Sequence, residues 1–334
     1  MPTSSWSEGA PAWLVPPSAR GDAHLFTPRA TYRFRRNKNT DTPLPPEEPA
    51  GKNPPDGAII YYSLGSNARG PVTLEILNGA GKIVRRYSSV DAPDSIPSDI
   101  AIPSYWVRRS QQLSAAAGSH RFIWDLHYPP PAGVNFGYPI SAIVGDTPKE
   151  PIGPAVPPGK YLVKLTVNGQ QYSAPLVVKI DPRVKMTEAD LRQQFELGLK
   201  MAQITWDAAP AISQLRGLRA ALKERIAKGG PPDLTTALTS FDQQAAGFES
   251  SVPNAPAGAP MNNLVRISGQ AASLLDNFES ADMPPTAQAV AAARDVAAAA
   301  DAALSAWGRF KTTDLTAVNA RLKAAGLTTL EIAK

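Results

Sequence analysis

Residues 161–200 read YLVKLTVNGQ QYSAPLVVKI DPRVKMTEAD LRQQFELGLK, and within this stretch the chain changes its period. Tyr161, Val163, Leu165 and Val167 set one apolar face at period two, the pattern of a strand with one buried side. Asn168-Gly169 suits the positive φ angles of a two-residue hairpin, so Gln171 to Ile180 is predicted to pair back. After Asp181-Pro182-Arg183 the period becomes helical. Thr187 followed by Asp190 reads as an N-cap with an acid at its third position. Leu191, Phe195 and Leu199 then start an apolar stripe, continued by Leu215, Leu218, Leu222 and Ile226.

Toward the N-terminus the signals stay β. Ala58 to Leu64 is rich in Ile and Tyr, and Val72, Leu74 and Ile76 alternate with Thr73 and Glu75. Asn78-Gly79-Ala80-Gly81 is a turn, after which Lys82 to Tyr87 returns. His120, Phe122, Trp124 and Leu126 form another dry face. Two long Pro-rich insertions, Ser88 to Gly118 and Tyr128 to Gly159, interrupt the strands. Short alternating strands with such turns predict a sandwich. Residues 1–54 read as an extended Pro-rich arm in which only Ala30 to Arg36 looks strand-like. Its Trp6, Trp13, Leu25 and Phe26 must be laid on something else.

Toward the C-terminus, Pro210 is expected to kink or split the first helix, and Gly229-Gly230 to end it. Further helices are expected at about Asp233 to Phe248, Asn262 to Ser280, Thr286 to Phe310 and Leu315 to Ala325. Leu264, Ile267, Ala271, Leu274 and Phe278 mark the apolar side of the third. The fold class is therefore α+β and multidomain: an arm over 1–54, an immunoglobulin-like antiparallel β-sandwich over 55–183, and an antiparallel α-helical bundle over 184–334.

Composition agrees with folded, water-facing protein. Of 334 residues 43% are hydrophobic, ordinary for a globular chain, and most of the 34 prolines precede residue 160. A formal charge of +5 does not by itself imply nucleic acid. Arg29, Arg33, Arg35, Arg36 and Lys38 cluster without an acid, with Tyr32 and Phe34 alternating between them. That pattern fits either a phosphate-binding stripe or a solvated strand edge kept unsticky by charge, and the second reading is adopted. No cysteine is present, which excludes disulfides and thiolate chemistry. The N-terminus lacks a basic start followed by an apolar core, so no signal peptide is read there. Ala287 to Trp307 carries Arg294, Asp295 and Asp301, so it reads as a water-facing helix and no membrane partner is expected.

No constellation specifies a reaction. His24 stands alone, His120 reads as a structural histidine, and His127 shares a strand face with Asp125 without a nucleophile nearby. No spacing suggests a metal site or a cofactor. Gly79-Ala80-Gly81-Lys82 lacks the following Ser/Thr and helix of a phosphate loop. Asp91, Asp94, Asp99, Asp146 and Glu150 are read as loop solubility, because a paired-carboxylate site needs a set separation. The candidate ligand-binding residues are Tyr105, Trp106 and Arg108 of the first insertion with Phe136 and Tyr138 of the second. They are read as a stacking platform for a sugar or a docking patch, or else as the anchors of long loops.

Val72-Thr73-Leu74-Glu75-Ile76, Gly81-Lys82-Ile83-Val84-Arg85, Phe122-Ile123-Trp124-Asp125 and Pro158-Gly159-Lys160-Tyr161 together resemble the Ig-like domain of flagellar hook-capping proteins. Leu25-Phe26-Thr27-Pro28-Arg29, the region of Tyr138-Pro139-Ile140, and Asp181-Pro182-Arg183-Val184 resemble the C-terminal part of large bacterial proteins. Those carry a sortilin-like, Asp-box β-propeller ahead of this region and are often labelled glycosyl hydrolases. This chain contains no Asp-box, so no catalytic residue carries over from the propeller. The resemblance implies a periplasmic or secreted setting, a split or truncated gene product or a separate partner, and a β-propeller protein or a cell-surface glycan as the thing bound. The function expected is that of a non-catalytic accessory or interaction protein. Its rivals are a glycan-binding module using the insertion aromatics and a glycosyl hydrolase-class enzyme.

Overall fold

The structure is a computed structural model that describes residues 22–35, 49, 55–138, 145–249 and 263–332. Trp6, Trp13, Arg36, Lys38, Pro139 and Ile140 lie outside the described residues. The chain is α+β. Its strands are β1 (Ala23–Leu25), β2 (Thr31–Arg33), β3 (Ala58–Leu64), β4 (Thr73–Leu77), β5 (Ile83–Ser88), β6 (Gly118–Trp124), β7 (Gly159–Val167) and β8 (Gln170–Ile180). They form one sheet in the order β1-β3-β6 and another in the order β2-β8-β7-β4-β5. Contacts divide the chain into two compact units. One comprises residues 1–130 and 136–192, and the other comprises 131–135 and 193–334.

In the β unit the alternation of β7 and β8 becomes burial. Tyr161, Val163, Leu165 and Val167 point inward at 6%, 0%, 0% and 4% exposure, and Asn168 (φ 50°) and Gly169 (φ 80°) make the hairpin turn between the strands. Val72, Leu74 and Ile76 are wholly buried as well. These side chains join Ile60, Tyr62, Phe122 and Trp124 of the three-stranded sheet in one apolar cluster. Burying a side chain of this size contributes roughly 1.5–3 kcal/mol, so the cluster, not the turns, holds the two sheets.

Three expectations change here. Residues 22–35 are not simply laid on a finished domain, because β1 pairs antiparallel with β3 and β2 pairs parallel with β8. The polarity of β2 is also the reverse of a charged outer edge. Arg33 is buried, donating Nη1 to the Val156 carbonyl at 3.2 Å, while Tyr32 and Phe34 are 49% and 47% exposed. The edge is thus faced by aromatics, Tyr32 lying under the Lys179 ammonium. Finally, β6 stops at Trp124, and Leu126 takes a left-handed φ of 62°. Asp125 and His127 therefore do not share a strand face.

The helices are α1 (Glu188–Ala227), α2 (Pro232–Gly247), α3 (Leu264–Glu279), α4 (Ala287–Arg309) and α5 (Leu315–Ala324). Thr187 Oγ1 accepts from the Asp190 amide at 3.1 Å and so caps α1, while Gly229 follows its end with φ 73°. Asn263 and Thr286 cap α3 and α4 in the same way. Pro210 does not split α1. The residues around it, Met201, Ile204, Ala208, Ile212 and Leu215, are all buried, and their packing outweighs the roughly 3 kcal/mol of a proline in a helix interior. The apolar stripe is also rotated from its expected line. Leu191, Phe195 and Leu199 are half-buried, whereas Gln194 and Gly198 are buried. Gln194 Nε2 satisfies the Phe278 and Ala281 carbonyls at 2.7 and 2.6 Å. On α3 Leu264 is buried as expected, but of the adjacent pair it is Leu275 that is fully buried, not Leu274. A π-helical turn over Phe310–Asp314 joins α4 to α5 without a break. Within this unit, residues 131–135 meet α1, where the Ala132 amide donates to Thr205 Oγ1 at 3.1 Å.

Candidate functional site

The two insertions of the β unit are tied together by backbone, not by aromatics. Arg108 donates its amide to the Thr147 carbonyl at 2.8 Å, the Thr147 amide returns to the Trp106 carbonyl at 3.0 Å, and the Gly145 amide donates to the Tyr105 carbonyl at 3.0 Å, while within the second insertion Gly137 and Glu150 exchange bonds of 2.8 and 2.9 Å. Thr147 is wholly buried at this seam. A groove of about 490 Å³ lies between the joined insertions and the strands β5 and β6. Tyr87 and Phe122 meet edge to face there, ring centroids 4.6 Å apart. Phe136, Pro148 and Pro151 also line it.

Of the residues singled out in the sequence, Arg108 and Phe136 line this groove, and Tyr138 lines an adjoining recess of about 120 Å³. Tyr105 and Trp106 line neither. They sit on a 3-10 turn, Ser104–Trp106, with their rings edge-on to each other at 6.1 Å and Tyr105 exposed. A single stacking platform built from all five is not what the fold assembles.

Charge in the groove is largely committed to structure. Arg108 reaches Asp146 at 2.7 Å through Nε and Asp56 at 3.4 Å through Nη2. Lys149 lies 3.7 Å from Asp94 and 4.7 Å above the Phe136 ring. Asp91 accepts the Ser88 amide at 2.6 Å, and Asp125 accepts the His127 amide at 3.2 Å. Each groove carboxylate therefore has a partner. The His127 ring contacts the Asp125 carbonyl, not its carboxylate, and His120 contacts the Ala116 carbonyl, so neither forms a catalytic pair. Among the described residues no group of three or more His, Cys, Asp or Glu is placed to hold a metal.

Burial lifts the Tyr87 phenol well above its ordinary value, and the Asp125 charge adds to that. The Tyr138 phenol is raised by burial first and by Asp94 second. Neutral phenols at these positions remain hydrogen-bond donors at any physiological pH. Arg109, which follows Arg108 in the run after Tyr105-Trp106, also lines the groove, as do Arg85 and Gln112, which carried no distinguishing signal in the sequence. Arg109 and Gln112 share the first insertion and Arg85 stands on β5, and only the fold brings these two segments together. On the first insertion, Gln111 uses its whole amide on one residue of β6. Its Oε1 accepts the Ile123 amide at 3.0 Å and its Nε2 donates to the Ile123 carbonyl at 3.4 Å.

No family model and no curated protein matches the chain. Among the described residues no helix is long and apolar enough to cross a membrane.

Proposed function

We propose that the chain is a non-catalytic accessory or interaction protein, related to the C-terminal part of exported bacterial propeller proteins. Its β unit is read as an immunoglobulin-like sandwich and its helical unit as an antiparallel bundle. The apolar cluster common to both sheets supports the first reading. Amphipathic helices around one apolar cluster support the second.

The observation that carries the interaction reading is the outer face of the five-stranded sheet. Its register lines up Pro175, Leu162, Leu77 and Ile83 in one row across β8, β7, β4 and β5. Leu162 and Ile83 are 39% and 53% exposed, and Val177 beside them is 39% exposed. A sheet with one wet face normally presents polar side chains there. Contiguous exposed apolar surface instead marks protein contact. Exposed Lys160 and Lys179 border the row, which suits a partner whose own apolar patch has an acidic rim. The partner that the family resemblance implies is an Asp-box β-propeller protein. Coexpressed with the propeller protein of the same genome, the chain should co-elute as a complex. Replacing Leu162 and Ile83 together by lysine should weaken that complex at least tenfold without lowering the melting temperature. Separate elution of the two wild-type proteins at tens of micromolar overturns the reading.

A further inference from the structure

The groove between the insertions has a chemistry that a protein-docking face does not need. We infer that it is a binding site for a short stretch of neutral glycan, an inference that rests on the non-catalytic reading above. Its volume of about 490 Å³ falls within the roughly 300–1,000 Å³ of small-molecule sites.

Charge balance points to an uncharged ligand. The cations Arg108 and Lys149 are already more than offset by the three carboxylates of Asp56, Asp146 and Asp94, so the lining as a whole carries one net negative charge and disfavours an anion. What remains are Arg109 and Arg85, the latter lying 5.3 Å over the Tyr87 ring, against Asp91 and Asp125, two charges of each sign. An anionic chain meets two carboxylates here, and a cationic one meets two guanidinium groups. The same four groups suit hydroxyls, which donate and accept at once. Asp125 commits only Oδ1, to the His127 amide, and Asp91 commits Oδ2, to the Ser88 amide. Gln112 donates Nε2 to the Asp91 carbonyl, which leaves its amide oxygen as an acceptor. Arg109 is exposed and brings a planar fork of donors. Apolar surface completes the site. Phe136 is 37% exposed at the groove, and the C–H face of a sugar ring packs on such a ring while its hydroxyls reach the polar side.

The test is isothermal titration of the full chain with gluco-, xylo- and manno-oligosaccharides of four to six units, with oligogalacturonate as the anionic comparison. Binding of at least one neutral oligosaccharide is expected, weakened tenfold or more by Phe136→Ala and by Asp125→Asn. Arg109→Gln, at an exposed position, should weaken it with an unchanged melting curve, so a folding defect in the other variants does not decide the matter. Absence of heat with every neutral oligosaccharide overturns the inference. So does binding of oligogalacturonate alone, or binding that all three variants retain. New reducing ends released from a bound oligosaccharide leave the site in place and overturn the non-catalytic reading instead.

Discussion

Trp124 of β6 and Tyr161 of β7 meet edge to face, with ring centroids 5.7 Å apart and planes at 62°. One ring comes from each sheet. Trp124 is wholly buried and donates its indole N–H to the His127 carbonyl at 3.2 Å, while the Tyr161 hydroxyl donates to the Pro157 carbonyl at 2.6 Å. The pair therefore fixes the sheet separation and also holds two loop carbonyls that flank the insertions.

Removing the indole should show how much rests on it. Trp124→Ala is expected to cost about 3–5 kcal/mol, as large aromatic truncations in cores do. Tyr161→Phe, which deletes only the hydroxyl, should cost about 1 kcal/mol. Urea denaturation followed by circular dichroism measures both. A Trp124→Ala protein with the wild-type midpoint is incompatible with the packing described.

Buried phenols make the β unit sensitive to alkali. Burial pushes Tyr62 up to about 12, opposed only in part by its hydrogen bond to the Ser114 backbone. Burial likewise raises Tyr161, with Tyr128 adding to the effect, and it raises Tyr87. An unfolded phenol ionises near 10.0. Between that value and about 12 the folded chain therefore holds more protons than the unfolded one, and stability falls as pH rises. Melting temperature should be flat up to pH about 9 and decline beyond pH about 10. Phenolate absorbance should report these residues only as the protein unfolds. If all nine tyrosines ionise near pH 10 in a protein that stays folded, the burial is wrong.

Pro210 is exposed in the middle of a 40-residue helix. Replacing it by alanine restores a backbone donor and removes no buried side chain. Pro210→Ala should stabilise the helical unit by about 1–3 kcal/mol, within the cost of a proline in a helix interior. Differential scanning calorimetry decides it, and a lower melting temperature would falsify the account of α1 as an unbroken helix held by packing.

The glycosyl hydrolase label is open to direct measurement. Hydrolysis commonly needs a free acid and a second carboxylate across one sugar. In the groove Asp56 and Asp146 are held by Arg108 and Asp94 lies by Lys149, while Asp91 and Asp125 each give one oxygen to a loop amide and keep the other, so the non-catalytic reading stands or falls on these two. Sialosides and aryl glycosides should therefore yield no product between pH about 4 and about 8. Turnover abolished by Asp125→Asn or Asp91→Asn would place an active site in the groove.

What the sequence conveyed depended on whether local pattern or distant contact set the outcome. The α+β class was legible because Tyr161 to Val167, Asn168-Gly169 and the Thr187 cap each act over a few residues. The face of β2 was not, since Arg33 and Tyr32 alternate equally well in either orientation. Only the Val156 carbonyl, far along the chain, selects the inward arginine. The stripe of α1 misled for a related reason. Gln194 earns burial by meeting two carbonyls near the end of α3, which hydrophobicity cannot announce. In the groove, Phe136 stood out by residue type. Asp125 was marked by His127 beside it and Arg109 by Arg108, but not for the groove, because that role depends on which neighbouring charges are already paired.

Gln111 bears on what the open edge of the three-stranded sheet offers a second molecule. β6 ends its sheet, so its outer backbone groups are a template on which a second molecule can add a strand. By bonding both the amide and the carbonyl of Ile123, the Gln111 side chain occupies that template as a one-residue decoy strand. The long first insertion thus covers part of an edge that self-assembly by strand addition would need. Overexpression at high concentration is where its loss would be felt first, as fibrils or inclusion bodies.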